Sequence, residues 1–276
     1  MLLTGIGLLA AVFSVLLVAG FDLSLLWLPV LFPGLGLGLL LLAVLYLCII
    51  CAFVDQSKPR EDDSPFYRCM MHLYIEALIQ IVGLKVEVSG LEKTPKSGRF
   101  LLVCNHQNES DPGILLHYFK KSQLAFISKQ ENRDMFAVGK LMHMTLCQLM
   151  NRENDREALK TILKCIQILK EDKASIGVFP EGGIKDKDKL SPFRPGVFKM
   201  AQKANVPIVV CTLKGTSEVF NNIARLRPSR VRLHLVDVIP AEDLVGRTTV
   251  DIAQQVYDMM LADLGPEYAP DTAENT

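Results

Sequence analysis

The sequence predicts an α/β protein in which an N-terminal hairpin of apolar helices precedes an α/β domain with a largely parallel central sheet flanked by helices. Two observations lead to this prediction. Up to Val54 the only charged side chain is Asp22, so nearly all of the 30 basic and 30 acidic residues of the 276-residue chain lie after it. In that later part, short apolar runs alternate with amphipathic helical patterns, which is typical of a parallel sheet covered by helices.

The N-terminal segment contains two apolar stretches. Residues 2–20 are uncharged and would form a helix about 28 Å long, close to the roughly 30 Å thickness of bilayer hydrocarbon. Residues 23–54 would reach roughly 48 Å, so we expect the prolines and glycine within residues 29–34 to interrupt them and to leave a second helix over residues 35–54. Trp27 in the intervening turn suits the headgroup zone.

This pattern predicts a membrane anchor over residues 1–57, a linker over 58–65, the α/β domain over 66–265 and a flexible tail over 266–276. Lys58, Arg60 and Arg68 follow the anchor, and its turn has no basic residue, which places the domain on the cytoplasmic face of the cell membrane. Three alternatives remain open: a signal peptide, which would want Lys or Arg before the apolar run, a single span preceded by a surface helix, and a hairpin that dips into one leaflet.

Composition argues against several classes of function. Basic and acidic residues balance, which is unlike a protein that coats nucleic acid. The seven cysteines are odd in number and dispersed, and the five histidines show no metal-ligand spacing, so we expect free thiols and no metal.

The predicted elements of the domain follow from periodicity. Residues 66–81 and 155–170 carry apolar stripes at helical spacing, and a last helix is predicted over 250–264. Apolar runs or alternation predict strands over residues 84–88, 100–104, 124–127, 175–179, 207–213 and 231–238.

The first candidate motif is Asn-His-Gln-Asn-Glu-Ser-Asp over residues 105–111, directly after a predicted buried strand, where ligand sites gather in parallel-sheet folds. His106 and Asp111 are five residues apart, so they do not share a helix face but can meet across a turn. Asp111 would then fix the tautomer of an imidazole that deprotonates a substrate hydroxyl. A compatible alternative makes Asp111 a helix N-cap followed by Pro112. Cys104 could be a thioester nucleophile, but a terminal strand residue is expected to point into the sheet.

The second candidate motif, Phe-Pro-Glu-Gly-Gly over residues 179–183, also ends a predicted strand, and its glycines let a ligand approach the backbone closely. A basic run suited to phosphate follows, although loop lysines are commonly just solvated. This run comprises Lys185, Lys187, Lys189 and Arg194.

In this order behind an apolar anchor, the two motifs and Val-Pro-Ile-Val over residues 206–209 resemble those of the glycerolipid acyltransferases, specifically the bacterial 1-acylglycerol-3-phosphate acyltransferases. The resemblance covers residues 66–240 and implies an acyltransferase enzyme of phospholipid biosynthesis. It implies that His106 is the catalytic base and that Asp111 orients it.

The resemblance also implies a set of substrate-binding residues. Lys129 and Arg152 would hold the acceptor phosphate, Glu181 and Gly182 the acceptor glycerol, and Pro207 would lie on the acyl side, with Asn105, Gly183, Lys185 and Arg194 completing the set. The family usually has Thr-Arg after Glu-Gly, but Gly183 and Ile184 stand there, so either Lys185, Lys187 or Arg194 would supply the missing charge or the acceptor head group would differ.

The implied reaction moves an acyl group from acyl-ACP (acyl carrier protein) or acyl-CoA to a membrane lysophospholipid acceptor, 1-acylglycerol-3-phosphate, and gives phosphatidic acid. It would use His106 as general base, with no acyl-enzyme and no cofactor. The sequence leaves two alternatives open: acylation of another lysophospholipid or an aminolipid, and a non-catalytic membrane module that binds lysolipids or the acyl carrier.

Overall fold

The computed structural model describes residues 1–151 and 154–270 of the chain. In these residues the α-helices are α1 (Leu2–Gly20), α2 (Leu28–Ala52), α3 (Pro65–Ile81), α4 (Asp111–Tyr118), α5 (Phe136–Met144), α6 (Asp155–Lys170), α7 (Lys199–Ala204), α8 (Val219–Ala224) and α9 (Thr249–Leu264). The strands are β1 (Leu84–Ser89), β2 (Leu101–Cys104), β3 (Leu124–Lys129), β4 (Gln148–Met150), β5 (Ser175–Val178), β6 (Ile208–Lys214) and β7 (Ser229–Ile239).

The strands form a single sheet in the order β1-β7-β6-β2-β5-β3-β4. Strands β2 to β6 are parallel to one another, β7 is antiparallel to β6, and β1 is parallel to β7. The prediction of a largely parallel sheet is therefore confirmed. The carboxyl ends of β2 to β6 share one edge of the sheet, called here the carboxyl edge, and β7 and β1 begin at that same edge.

Both faces of the sheet are covered, because successive side chains of a strand point to opposite sides. In β2, Leu101 and Val103 pack against α6, α7 and α9, whereas Leu102 and Cys104 pack against α3, α4 and α5. This two-sided burial is the reason that the central strands read as continuous apolar runs.

The apolar hairpin forms as two helices that are long and apolar enough to cross a membrane. The second of them, α2, begins at Leu28 rather than near residue 35, so the predicted interruption by the prolines is wrong. Pro29 lies in the first turn, where a missing N–H costs nothing, and Pro33 lies one turn further along inside the helix. In an apolar stretch, the helix is the conformation that satisfies almost all other backbone groups.

The C-terminal part of α2 packs against the α/β domain. Tyr67 on α3 donates a hydrogen bond to the carbonyl of Ile50 at 3.0 Å, Tyr74 donates to the carbonyl of Ala43, and Cys51 is buried in the core of the domain. A boundary at residue 57 therefore does not mark where packing ends, and the anchor and the domain share part of one core.

Arg68 lies inside the domain and not at a membrane surface. Its guanidinium contacts the carboxylate of Asp63 at 2.5 Å and donates to the carbonyls of Leu124 and Thr145. Burial of this residue removes one of the three basic residues used to predict the orientation of the chain.

The predicted tail is also partly ordered, because Pro266–Tyr268 form a 3-10 turn and the carbonyl of Tyr268 accepts the N–H of Leu190 at 2.8 Å. Residues 271–276 lie outside the described part of the chain.

The hairpin and the carboxyl edge point in the same direction. Helix α3 begins near Leu124, at the amino-terminal edge of the sheet, and ends at Ile81, next to the carboxyl edge where Leu84 pairs with Ser229. The two tyrosine contacts show that α2 is antiparallel to α3, so its first residue, Leu28, points past the carboxyl edge.

Candidate active site

The structure brings His106 and Asp111 together in the turn that leaves β2. The Nδ1 atom of His106 lies 2.9 Å from Oδ2 of Asp111, and the histidine side chain is 14% exposed. Among the described residues no protein group is hydrogen-bonded to Nε2 of His106, so this nitrogen is available to a substrate. The geometric prediction is confirmed, and the catalytic role remains a prediction.

Asp111 is fully buried and organises the turn through one oxygen. Its Oδ2 atom also accepts the backbone N–H groups of Gln107 at 2.7 Å and Asn108 at 2.8 Å. The predicted N-cap role is wrong, because Asp111 is the first residue of α4 and Ser110 occupies the cap position. The carboxylate binds the backbone of the turn and the imidazole, and it does not cap the helix.

Glu181 holds the other side of the histidine. Its side chain is 1% exposed; one carboxylate oxygen accepts the backbone N–H of His106 at 2.7 Å, and the other accepts that of Ser191 at 3.0 Å. Burial raises the pKa of Glu181 to about 7, while these two hydrogen bonds act in the opposite direction. The resemblance assigned Glu181 to the acceptor glycerol, but here the carboxylate joins two loops.

The ring of His106 stacks on Phe179, with centroids 4.0 Å apart and an interplanar angle of 15°. Phe179 in turn lines a groove, called here the Phe179 groove, which runs along the carboxyl edge. The other lining residues are Ile127, Met150, Val178, Pro180, Gly182, Arg194 and Val197. Apolar side chains therefore line the groove between the imidazole of His106 and the guanidinium of Arg194.

Gly182 and Arg194 meet at this groove. Gly182 has φ +78°, and a Cβ built on it would lie 2.4 Å from Nε of Arg194. The backbone N–H of Arg194 donates to the carbonyl of Pro180 at 2.8 Å, which fixes the return of the loop. Arg194, one of the three residues that could replace the missing family arginine, thus lies against the turn that carries Glu181.

Other predicted cations lie at the same edge of the sheet. Lys129 is the last residue of β3 and pairs with Met150, and Lys185 is exposed in the loop after Gly183, where φ is +146°. Arg152 lies outside the described residues. The fold therefore brings Lys129, Lys185 and Arg194 to one edge.

Two predicted substrate residues are not placed to touch a substrate at this edge. Both side-chain amide atoms of Asn105 are hydrogen-bonded at 2.8 Å to the backbone of Leu213, so Asn105 extends the pairing of β2 with β6. Pro207 lies at the amino-terminal edge, where its carbonyl accepts the N–H of Leu101. A short sequence motif does not show at which end of a strand its side chains function.

Sequence reasoning missed two residues of the site. Phe179 supports the imidazole, and Gln107 donates from its side-chain amide to the carbonyl of Lys187 at 2.7 Å, joining the two motif loops. Phe179 belongs to the second motif, but its contact with His106 depends on the placement of β5 beside β2, which the sequence does not show.

Cys104 is fully buried and points into the sheet, and burial raises the pKa of its thiol well above the usual range. This environment keeps the thiol neutral and away from the groove. In the described part of the chain, no group of three His, Cys, Asp or Glu side chains is arranged to hold a metal ion.

Comparisons with known proteins agree with this architecture. The family model described as Acyltransferase matches residues 85–214. A 1-acyl-sn-glycerol-3-phosphate acyltransferase of Borreliella burgdorferi is 30% identical over 174 residues, covering 62% of this chain and 69% of the relative. A probable 1-acyl-sn-glycerol-3-phosphate acyltransferase of Mycoplasma pneumoniae is 29% identical over 200 residues, covering 70% of this chain and 74% of the relative.

A solved structure shares the fold. The crystal structure of the 1-acyl-sn-glycerophosphate (LPA) acyltransferase PlsC from Thermotoga maritima matches with a TM-score of 0.60 at 21% identity, over 71% of this chain and 78% of that chain.

Proposed function

Because this chain belongs to the glycerolipid acyltransferase family, we propose that it is a membrane-bound enzyme that transfers an acyl group from acyl-ACP or acyl-CoA to the free hydroxyl of 1-acylglycerol-3-phosphate. The product of this reaction is phosphatidic acid. The observation that carries the proposal is the hydrogen bond between His106 and the buried Asp111 at the carboxyl edge, which leaves Nε2 of the imidazole free.

The chemistry is a direct transfer. Nε2 of His106 takes the proton of the acceptor hydroxyl as that oxygen attacks the thioester carbonyl carbon. The tetrahedral intermediate then expels the thiolate, which takes the proton back from the imidazolium, so that an ester and a free thiol leave the site. Asp111 keeps the proton of Nδ1 in place and stabilises the imidazolium. The reaction needs no cofactor and no acyl-enzyme.

The surroundings of the pair suit two amphiphilic substrates. The Phe179 groove places apolar side chains beside the imidazole, where they can contact the part of the acyl chain next to the thioester, and Arg194 at the groove is a donor for a phosphate. Lys129 and Lys185 at the same edge provide further positive charge. These cations favour an acceptor with a phosphate headgroup over a neutral one.

The hairpin gives the site access to lipid. Because α2 is antiparallel to α3, the apolar hairpin extends past the edge that carries His106, so the site faces the membrane surface. Only about 15 residues of α2 precede Ala43, a length of roughly 22 Å, which is less than the roughly 30 Å hydrocarbon thickness. A hairpin that dips into one leaflet on the cytoplasmic side fits this geometry best.

Transfer of labelled acyl groups to a panel of lysolipids by the purified full-length protein tests the proposal. His106→Ala should lower the rate by about 10²-fold to 10⁴-fold, because that is the usual contribution of a general base, and should leave the melting temperature near that of wild type. His234→Ala is the matched control, since His234 also pairs with an aspartate, Asp263, at 2.8 Å but lies away from the groove.

Near-normal turnover by His106→Ala would overturn the mechanism. A wild-type protein that binds lysolipid but consumes no thioester would be a non-catalytic module. Preference for a lysolipid with another headgroup would replace the proposed acceptor.

A further inference from the structure

The turn between α8 and β7 presents an unusual leucine. Helix α8 ends in a Schellman motif, in which the N–H of Leu226 donates to the carbonyl of Ile223 at 3.0 Å and that of Arg227 donates to Asn222 at 2.8 Å. This motif needs a left-handed residue at the position of Leu226, where φ is +52°. Glycine is the usual residue there, because a Cβ makes the conformation strained. Leu226 is nonetheless 95% exposed.

A second leucine with positive φ shows the contrast. Leu146 has φ +63°, but its side chain is 1% exposed and belongs to the hydrophobic core. Burial of an apolar side chain offsets the backbone strain at Leu146. No packing within the described protein offsets it at Leu226, and a contact outside the folded chain would offset it.

The charges around Leu226 are of one sign. Arg225, Arg227 and Arg230 are all exposed, and none of them takes part in an ion pair with another described residue. An apolar tip flanked by free guanidinium groups is the composition of segments that bind anionic lipid surfaces.

The position of the turn points to the same partner. Leu84 pairs with Ser229, and a Cβ on Gly83 would lie 3.6 Å from Pro228, so the turn lies beside the end of α3 at the carboxyl edge. The end of α3 itself exposes Leu78 and Ile81. The apolar hairpin packs on α3 and points past this edge, so the turn, the end of α3 and the hairpin lie on the same side of the domain.

We propose that residues 225–230 form a second membrane contact, in which Leu226 enters the interface of an anionic bilayer and Arg225, Arg227 and Arg230 bind lipid phosphates. If the hairpin were the sole membrane contact, the domain could tilt and turn relative to the membrane surface. A second contact, continuous with α3, holds the carboxyl edge and His106 against the lipid surface.

Tryptophan fluorescence of the full chain in vesicles tests this contact without depending on acyl transfer. Trp27 is the single native tryptophan, so it reports on the hairpin in wild type. Leu226→Trp in a Trp27→Phe background reports on the turn. Val245→Trp in the same background is the matched control, because Val245 is 76% exposed but follows the end of β7 at the opposite edge of the sheet.

The vesicles contain phosphatidylglycerol and phosphatidylcholine with brominated acyl chains. The emission of tryptophan at position 226 should be mostly quenched in these vesicles compared with its emission in vesicles without bromine, and the emission of tryptophan at position 245 should not. The quenching at position 226 should become weaker when Arg225→Ala and Arg227→Ala are added.

Two results would overturn the proposal. One is quenching of Trp27 without quenching at position 226. The other is protection of position 226 from both the brominated lipid and aqueous acrylamide, which would indicate a protein partner or a second copy. No quenching at either Trp27 or position 226 would overturn the membrane anchor and this contact together.

The variant Leu226→Gly shows whether the side chain of Leu226 is needed for folding or for membrane binding. Glycine suits the left-handed position, so the melting temperature in detergent should stay the same or rise. Acylation of lysolipid embedded in anionic vesicles should fall several-fold relative to the same reaction in detergent micelles. Equal activities in vesicles and micelles for this variant would contradict the proposal.

Discussion

At the scale of single residues, the pairing of a histidine with an aspartate occurs twice in this protein with nearly the same geometry. Nδ1 lies 2.9 Å from the carboxylate in His106–Asp111 and 2.8 Å in His234–Asp263. The surroundings differ, because Asp263 also binds Arg232 at 2.7 Å, whereas the carboxylate of Asp111 receives only backbone amides besides the imidazole. The charge of Asp111 is thus directed at His106 alone.

Asp111→Asn should therefore remove catalysis without unfolding the protein. The amide oxygen can still accept the backbone N–H groups of Gln107 and Asn108, but the negative charge that stabilises the imidazolium is lost. We expect kcat to fall by about 10²-fold to 10⁴-fold, with a smaller change in KM. Asp263→Asn is the matched control and should keep its kcat. A similar loss of kcat in both variants would mean that Asp111 acts only on folding.

The raised pKa of Glu181 predicts how the free energy of unfolding changes with pH. Its pKa is raised from 4.5 to about 7 in the folded chain, so between these values the folded state holds a proton that the unfolded state has released. The free energy of unfolding therefore falls as the pH rises through this window. Glu181→Gln removes the titration, and the fall between pH 5 and 8 should be smaller in the variant by on the order of 3 kcal/mol.

Unfolding by urea in detergent at both pH values measures this difference. Glu267→Gln is the control, because the pKa of Glu267 is lowered by its hydrogen bond from Lys214, and its stabilising effect is lost only as the pH falls below that window. Equal pH dependence in wild type and Glu181→Gln would show that burial does not shift the titration of Glu181.

How much of the site could be predicted differs between its residues. His106 and Asp111 could be predicted because they are close in sequence and a turn is enough to join them. The bond between Glu181 and His106 could not, because it depends on the placement of β5 beside β2. Sequence motifs show which groups are present, and contacts between separate loops require the order of the strands.

At the scale of elements, the shape of the turn after β5 positions site residues that lie outside the turn itself. It reverses through Gly182 at φ +78°, and Arg194 packs against the space that a Cβ would fill. The turn could be inferred from Pro-Glu-Gly-Gly, but the contact with Arg194 could not, since 11 residues separate Gly182 from Arg194.

Gly182→Ala should weaken binding of the acceptor. The alanine would be strained at this φ by about 1 to 2 kcal/mol and would push the Arg194 side chain out of place. If Arg194 binds the acceptor phosphate, KM for the lysolipid should rise by roughly tenfold or more, while KM for the acyl donor changes less.

Gly196→Ala is the matched control for this change. Gly196 lies in the next turn of the same segment, and nothing is within 4 Å of a Cβ built on it. Its kinetics should match those of wild type. An unchanged KM for the lysolipid in Gly182→Ala would show that Arg194 does not bind the acceptor.

Strands and helices were predictable to different degrees for physical reasons. The central strands are buried on both faces, so continuous apolar runs mark them within about two residues. The edge strand β4 has only three half-buried residues, too few for alternation to be seen. The length of α2 was underestimated because proline near a helix start is compatible with the helix.

At the scale of the whole molecule, the sequence could not show how the hairpin joins the domain. Helix α2 is apolar on every side, so no stripe distinguishes residues that pack against the domain from residues that stay exposed. The structure shows that Cys51 and Val54 are buried and that two tyrosines of α3 hydrogen-bond to the backbone of α2. The C-terminal end of this apolar helix is therefore also a core element of the α/β domain.

Removal of residues 1–57 should consequently destabilise the domain instead of releasing it intact. Two tyrosine hydroxyls lose partners at about 1 kcal/mol each, and the burial of Cys51 and Val54 is lost at about 1 kcal/mol or more each. The expected total is about 4 kcal/mol, a large part of the roughly 5 to 15 kcal/mol that stabilises a domain. Removal of residues 1–20 alone is the control, because it deletes α1 and keeps the contacts of α2. Thermal unfolding in detergent should give a clearly lower melting temperature for the longer deletion only, and equal melting temperatures would show that the domain folds independently of α2.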